Sequence, residues 1–211
     1  MMSDVHAQQD SDNRRDHPPE LIEANRRDAS SEFAVRFSPK KFSLHCGNIL
    51  DVEAEAIVNA ANEGLCGGGG IDGVIHAACG PALLEECMAI PAGPLGERCL
   101  TGQSVITGAG RSYFKHVIHT VGPYLDENDN TQPHLLRSCY RTALELCKRN
   151  NIKSVVFPCI STGYYGYPMK EAAEIALEEI SNWTENNDTF IFVAVFNSTE
   201  QTIYKKLLGL D

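Results

Sequence analysis

The sequence has no long apolar run, and this absence argues against a membrane-spanning segment. A transmembrane helix needs about eighteen consecutive apolar residues, and no stretch of the sequence is that long. Residues 1–30 are polar and rich in acidic side chains, whereas a secretion signal needs an apolar stretch and a transit peptide avoids acids. We therefore expect a protein that is neither inserted in a membrane nor secreted.

Positive charge is also scarce. The chain carries 18 Lys and Arg against 28 Asp and Glu, for a net charge of −10 at pH 7. Duplex nucleic acid is bound mainly through Lys and Arg at its phosphates, so a field of this sign argues against that partner. If the ligand is an anion, local donors such as backbone N–H groups must hold it.

The eight cysteines include no Cys-x-x-Cys pair, which leaves a structural zinc site without its usual signature. Most of them lie in apolar segments, where a free thiol packs as a small hydrophobe. Reduced thiols are typical of the cytoplasm and the nucleus, and we expect the protein in one or both. No metal cluster or Ser-His-Asp arrangement is evident, so we expect no cofactor, no required metal and no covalent serine intermediate.

Composition changes once along the chain. Residues 1–35 form a polar and acidic tail with scattered apolar residues, which predicts disorder. Residues 36–211 alternate apolar segments with polar turns, and no linker or internal repeat divides them. A hydrophobic fraction of 43% is sufficient for a buried core. We predict one domain over 36–211 and expect it to act as a monomer.

Hydrophobic periodicity predicts an α/β domain. The predicted strands are 42–46, 56–58, 104–106, 116–119, 154–157 and 190–196, and the predicted helices are 71–78, 83–88, 135–147, 169–183 and 200–207. In the second half, strands alternate with helices, as in βαβ units with helices on both faces of the sheet. Ligands in such sheets bind beyond the carboxyl ends of strands, so the residues after Val58, Pro158 and Val195 are the places to examine.

The first loop at these strand ends runs from Asn59 to four consecutive glycines at 67–70, where a helix begins. A glycine run is conformationally costly, and it is useful where backbone approaches a ligand closely or must move. The N–H groups at the start of the helix form an anion site. No Lys-Ser or Lys-Thr follows, so this is not a Walker A loop. The alternative is a mobile linker without a ligand.

The second loop, residues 158–168, also lies between a buried strand and a helix. Ser161, Thr162 and Gly163 offer hydroxyl and backbone donors that suit a phosphate. The tyrosines can lie against a sugar or a base. The alternative is an ordinary turn with packed tyrosines. Together the two loops favour a diphosphate held between two larger groups.

These loops, with Gly47-Asn48-Ile49 before them, resemble the macrodomain family and most closely its MacroD-type subgroup. The matching segments are 56–62, 67–72, His76, 101–102, 119–123 and 158–168, spread over residues 37–208. The resemblance implies a three-layer α/β/α fold with a central mixed β-sheet flanked by helices. It also implies binding of ADP-ribose, hydrolysis of mono-ADP-ribose esters on acidic side chains of proteins, and deacylation of O-acetyl-ADP-ribose.

The resemblance assigns the substrate-binding residues. Residues 47–49 line the adenine end, Phe196 stacks on the base, and Tyr165 lies against the distal ribose. Many family members carry Asp at position 48, so Asn48 implies weaker base selectivity. For Phe196 the alternative is a core position, because it continues an apolar strand. The full set is Gly47, Asn48, Ile49, Ala60, Ala61, Gly67, Gly68, Gly69, Gly70, Ile71, Ser161, Thr162, Gly163, Tyr164, Tyr165, Gly166, Tyr167 and Phe196.

By the same resemblance the catalytic residues are Asn59, Asn62, Asp72 and His76. Both asparagines face the distal ribose, and Asp72 orients a water. An acid in a first helical turn also stabilises the helix by about 0.3–1 kcal/mol without any catalytic role. His76, four residues later on the same helix face, either steadies Asp72 or transfers a proton.

Three alternatives stay open. The substrate's own phosphate can take the proton from water in place of Asp72. The domain can also be a reader that binds ADP-ribose without cleaving it. A module for nucleic acid or poly-ADP-ribose is the third, and the acidic charge counts against nucleic acid.

Overall fold

The computed structural model describes residues 37–128 and 130–210, so the predicted tail over 1–35 lies outside the described residues. Within them the chain forms the strands β1 (Phe42–Cys46), β2 (Ala56–Ala60), β3 (Ser104–Gly108), β4 (His116–Thr120), β5 (Ser154–Phe157) and β6 (Phe190–Val195). The α-helices are α1 (Gly70–Cys79), α2 (Pro81–Ala89), α3 (Pro133–Arg149), α4 (Met169–Asn186) and α5 (Ser198–Leu208). None of these helices is long and apolar enough to cross a membrane.

The strands form one mixed sheet in the order β1-β6-β5-β2-β4-β3. Neighbouring strands pair in parallel, except that β3 runs antiparallel to β4. The carboxyl ends of β1, β2, β5 and β6 therefore point to the same edge. The loops that follow these four strands meet there, as the alternation of strands and helices predicted.

The two faces of the sheet are covered by different helices. Side chains alternate between the faces along each strand. Ala56 and Val58 of β2 belong to the core that contains α3, α4 and α5. Ile57, between them, belongs to the core that contains α1 and α2. The predicted three-layer α/β/α fold with a mixed sheet is confirmed.

The element boundaries differ from the prediction at two positions that matter for the site. β2 extends through Asn59 to Ala60, whereas the pattern ended it at Val58. β6 ends at Val195, one residue before Phe196. The turn between α1 and α2 agrees with the sequence, because Gly80 takes a φ of +80° and Pro81 is the first residue of α2.

Candidate active site

A cleft of about 930 Å³ opens at the carboxyl edge of the sheet. Most of the predicted site residues line it: Gly47, Asn48, Ile49, Ala60, Ala61, Asn62, Gly68, Gly69, Gly70, Ile71, Asp72, Ser161, Thr162, Gly163, Tyr164, Tyr165 and Phe196. The structure adds Val74, Gly122, Pro158, Cys159, Ala194 and Glu200. The glycine run and the 158–168 loop therefore face each other across one cavity.

Five predicted residues do not line the cleft: Asn59, Gly67, His76, Gly166 and Tyr167. The Tyr167 ring is 2% exposed, and its hydroxyl donates to Glu171 at 3.1 Å. Gly166 forms a turn with a φ of +68°. Neither residue is placed to touch a ligand in the cleft, because Tyr167 packs in the core and Gly166 only shapes the loop.

One end of the cleft is formed by Asn48 and Phe196. The Asn48 side-chain carbonyl accepts from the Leu50 N–H at 3.1 Å and caps the short 3₁₀ turn Ile49–Asp51. Phe196 is 77% exposed at the border of the cleft, so its alternative assignment to the core is wrong. The Glu200 carboxylate accepts from the Phe196 N–H at 2.6 Å and holds this backbone just beyond β6. An exposed aromatic side chain therefore borders this end of the cleft.

The 158–168 loop carries strain at Ser161. This residue has a φ of +67°, in the left-handed region that costs a non-glycine residue roughly 1–2 kcal/mol. Its hydroxyl oxygen is also buried and has no hydrogen-bond partner among the described residues. Both costs fall on one residue that borders the cleft. Strained backbone and an unpaired buried hydroxyl are typical of a position where a bound ligand supplies the missing hydrogen bond.

The tyrosines lie beside this loop. The Tyr165 ring meets Tyr124 edge-to-face with centroids 5.1 Å apart, and Tyr164 is fully exposed. Burial, and to a smaller degree the neighbouring Tyr124, raises the pKa of the Tyr165 phenol. The phenol therefore remains a hydrogen-bond donor at neutral pH. Tyr124 was not among the predicted site residues, because it follows β4 and the sequence pattern indicated only the loops after Val58, Pro158 and Val195.

Asp72 lies at the other end, in the first turn of α1. Its side chain accepts from Asn59 Nδ2 at 2.6 Å, and Asn62 Nδ2 lies 3.5 Å from its second oxygen. His76 Nε2 is 3.4 Å from the same oxygen that Asn59 holds. Asn62 also donates to the Gly67 carbonyl at 2.8 Å, which ties the glycine run to the end of β2. The carboxylate is 5% exposed, yet it borders the cleft with its position fixed by amides.

Behind Asp72 lies a group of polar side chains in which Asn59 and His76 were predicted site residues, whereas His119 and Cys87 were not. His119 of β4 is fully buried, and its Nδ1 lies 3.2 Å from Asn59 Nδ2. Burial, and then the neighbouring His76, lowers the pKa of His119 to about 3. His76, Cys87 and His119 each place a ligand-type atom within 4.8 Å of the others. Burial raises the pKa of the Cys87 thiol to about 11, so this sulfur is a neutral neighbour at physiological pH.

The lowered pKa of His119 makes the stability of the fold depend on pH. An unperturbed histidine titrates near 6.5, whereas folded His119 titrates near 3. Between these values the unfolded chain binds a proton that the folded chain does not. The free energy of unfolding therefore falls as the pH falls from 6.5 toward 3, by at most about 1.4 kcal/mol per pH unit from this group.

We expect the Tm of the wild type to fall more steeply over this pH range than that of His119→Gln. Thermal melts at several pH values measure both slopes. Equal slopes in the two proteins would contradict the lowered pKa, whatever the absolute stability of the variant.

The fold and cleft define a class: a three-layer α/β protein with a ligand site at the carboxyl edge of its sheet, between two loops rich in backbone donors. The sequence model of the Macro domain family matches residues 58–176. The chain belongs to the macrodomain family.

Curated relatives cover most of the described domain. A macro domain-containing protein of Caldanaerobacter subterraneus is 44% identical over 79% of this chain and 95% of its own. The ADP-ribose glycohydrolase MACROD1 of Rattus norvegicus is 43% identical over 80% of this chain. This chain spans 65% of the MACROD1 length, so the rest of that protein has no counterpart in the alignment.

Solved structures share the fold. The Oceanobacillus iheyensis macrodomain with ADP has a TM-score of 0.74 and 42% identity, and the match covers 80% of this chain and 90% of that one. The Trypanosoma brucei macrodomain in complex with ADP-ribose has a TM-score of 0.71 and 38% identity, with 79% and 68% covered.

Proposed function

We propose that this chain binds ADP-ribose and hydrolyses mono-ADP-ribose esters on acidic side chains of proteins, and that it also deacylates O-acetyl-ADP-ribose. The observation that carries the proposal is the position of Asp72. Its carboxylate is held by amide donors at the end of a cleft, between the glycine run at 67–70 and the 158–168 loop, whose donors suit phosphate. Similar proteins support it, since one relative is an ADP-ribose glycohydrolase and one similar structure is a complex with ADP-ribose.

The geometry suggests an orientation for the ligand. Phe196 and Asn48 suit the adenine, because one offers an aromatic face and the other a side-chain amide. The diphosphate fits between the N-terminus of α1 at Gly70 and the donors around Ser161. The distal ribose then reaches Asn62 and Asp72. Local donors do this work, since the net charge of −10 gives no attraction to an anion.

The proposed reaction places a water beside Asp72. The carboxylate accepts a hydrogen bond from the water and offsets positive charge that develops on the ribose. In one route the water oxygen bonds to the anomeric carbon, and the C–O bond between that carbon and the protein carboxylate breaks. In the other it bonds to the ester carbonyl carbon, the acyl C–O bond to the ribose oxygen breaks, and the ribose oxygen is protonated. Both routes give ADP-ribose and a free acid. The water proton passes to Asp72 or to the substrate phosphate. His76 is suited to steadying Asp72, because its ring lies behind the carboxylate and outside the cleft lining.

We place this activity in the cytoplasm or the nucleus and assign it to a monomer. All eight cysteines are free, which supports a reducing compartment. The natural partners under this proposal are mono-ADP-ribosylated proteins.

Incubation with O-acetyl-ADP-ribose separates a hydrolase from a reader. We expect the chain to bind ADP-ribose in calorimetry and to convert O-acetyl-ADP-ribose to ADP-ribose, detected by chromatography, with an unchanged rate after addition of EDTA. Binding without any product would identify a reader. A rate that disappears with EDTA and returns with a divalent ion would overturn the expectation that no metal is required.

Asn48 provides a test of the adenine placement. We expect Asn48→Asp to bind ADP-ribose about fivefold more tightly, because a charged acceptor strengthens the hydrogen bond from the adenine amino group by about 1 kcal/mol. Asp also preserves the cap on the Leu50 N–H. The gain should be absent for the hypoxanthine analogue, which lacks the amino group. Equal gains for both ligands in calorimetry would place the base elsewhere.

A further inference from the structure

We propose that His119 is a positioning residue for this reaction: in one fixed tautomer it holds the Asn59 amide, and Asn59 in turn orients Asp72. The inference rests on the proposed function of the same site. It concerns a residue that lies outside the cleft lining and therefore acts through Asn59.

The sheet register brings three polar side chains into a row. Asn59 of β2 and His119 of β4 are direct partners in the parallel pairing. On the other side of β4, His119 opposes Val105 of β3, so Thr107, two residues further along β3, is a diagonal neighbour on the same face. Asn59, His119 and Thr107 are all buried, on the face that α1 and α2 cover.

The hydrogen bonds of the row define the protons on His119. The Thr107 hydroxyl donates its only hydrogen to the Gly108 carbonyl at 2.9 Å. It must therefore accept at its contact with His119 Nε2, also 2.9 Å long, so Nε2 carries the hydrogen. The other ring nitrogen, Nδ1, is then unprotonated and accepts from Asn59 Nδ2 at 3.2 Å. The lowered pKa of His119 agrees with this neutral ring.

This tautomer matches the only favourable orientation of the Asn59 amide. Its Nδ2 has two hydrogens and two acceptors, Asp72 Oδ1 at 2.6 Å and His119 Nδ1 at 3.2 Å. A flipped amide would place an oxygen 2.6 Å from the carboxylate oxygen, where the two repel each other. Asn59 Oδ1 is buried and has no partner among the described residues, so it does not help to hold the amide. Removing the His119 acceptor leaves Asn59 held by Asp72 alone.

The row occupies both ring nitrogens of His119, which is one member of the group of His76, Cys87 and His119. Each ring nitrogen of His119 already has a hydrogen-bond partner in Asn59 or Thr107. Cys87 Sγ lies 3.6 Å from Nε2 as a neutral thiol beside the N–H. The ring of His119 is thus saturated by protein groups.

Thr107 provides the cleanest test, because three hydrogen bonds, through His119 and Asn59, separate it from Asp72. Thr107→Val has nearly the same shape but cannot accept from Nε2–H, so the Nε2–H tautomer loses its acceptor. The tautomer with Nδ1–H, which opposes the Asn59 donor, is then more populated. We expect kcat for ADP-ribose release to fall about fivefold or more, with the Kd for ADP-ribose unchanged within about twofold. Thr107→Ser keeps the hydroxyl and should restore most of the rate.

Thr184→Val is the matched control, since Thr184 is also buried but lies on α4, on the opposite face of the sheet. It should leave kcat and Kd unchanged. A Thr107→Val protein that binds ADP-ribose normally and keeps the wild-type kcat would overturn the proposal. A fall in kcat that is equally large in Thr107→Val and Thr184→Val would overturn it as well.

NMR of the ring nitrogens reads the tautomer directly. We expect His119 to be neutral with the hydrogen on Nε2 in the wild type and in Thr107→Ser. An Nδ1–H tautomer in the wild type would refute the assignment. This measurement needs no turnover, so it tests the hydrogen-bonded row of Thr107, His119 and Asn59 separately from the proposed function. A wild type that releases no ADP-ribose would refute the proposed function and leave the tautomer assignment standing.

A second pair of variants applies if Thr107→Val does not fold. His119→Asn places an amide where Nδ1 lies and keeps an acceptor for Asn59, whereas His119→Gln places its amide near Nε2. We expect His119→Asn to retain the higher kcat at equal ADP-ribose affinity. The reverse order would contradict a role exerted through Asn59.

Discussion

Asp72→Asn is expected to lower the rate of ADP-ribose release by roughly 10²–10³-fold, in the range found for removal of one preorganised electrostatic group. The amide has almost the same shape but no charge, so it neither orients water as strongly nor offsets positive charge on the ribose. ADP-ribose affinity should change little, since the residues proposed to hold the base and the diphosphate are untouched. Rates from single-turnover assays and Kd values from calorimetry separate the two effects.

Glu85→Gln is the matched control, because it makes the same acid-to-amide change on the exposed surface of α2. It should leave both quantities at their wild-type values. Release by Asp72→Asn at the wild-type rate would remove Asp72 from the chemistry. A parallel loss of affinity and rate would instead mean that Asp72 acts in binding.

Gly122→Ala is expected to weaken ADP-ribose binding by about 10- to 100-fold, equivalent to roughly 1–3 kcal/mol of overpacking. A Cβ at this position would lie 2.8 Å from Ile160 Cγ2 and even closer to Ser161 Oγ. The backbone after β4 therefore packs directly against the strained residue of the phosphate-type loop. A side chain here forces Ser161 out of place, and the donors around it no longer converge. Calorimetry with ADP-ribose, alongside thermal melts, measures the change.

The double variant Gly122→Ala with Ser161→Gly tests this explanation. Removing the Ser161 side chain relieves the closest contact and also suits the positive φ at that position. We expect part of the lost affinity to return. A double variant that binds no better than Gly122→Ala would mean that the loss has another cause.

The sequence predicted most of the cleft because its residues follow strand ends in parallel order. The glycine run at 67–70 and the 158–168 loop are each continuous in the chain, so their composition is visible locally. Phe196 was left between two assignments, since an apolar residue after an apolar strand has the same pattern whether or not β6 continues. The exposure of Phe196, one residue past the end of β6 at Val195, decides the matter.

The sequence could not predict the residues that support the site from behind. His119 contacts Asn59 across 60 residues of chain, and Thr107 is added by the antiparallel pairing of β3. Gly122 borders the cleft because its loop packs on Ser161, which no periodicity reveals. The extension of β2 to Ala60 also buries Asn59 behind Asp72. These features depend on the register between strands, which is a property of the assembled sheet.

Release of ADP-ribose from a protein that is mono-ADP-ribosylated on glutamate tests the proposed hydrolase activity and the role of Asp72 together. Wild type and Asp72→Ala are first shown to bind free ADP-ribose, and the free ADP-ribose in each reaction is then quantified over time. We expect the wild type to release the ADP-ribose and the binding-competent variant to leave it on the protein. A wild type that binds ADP-ribose but releases none would refute the hydrolase activity. An Asp72→Ala variant that releases it equally fast would refute the role of Asp72.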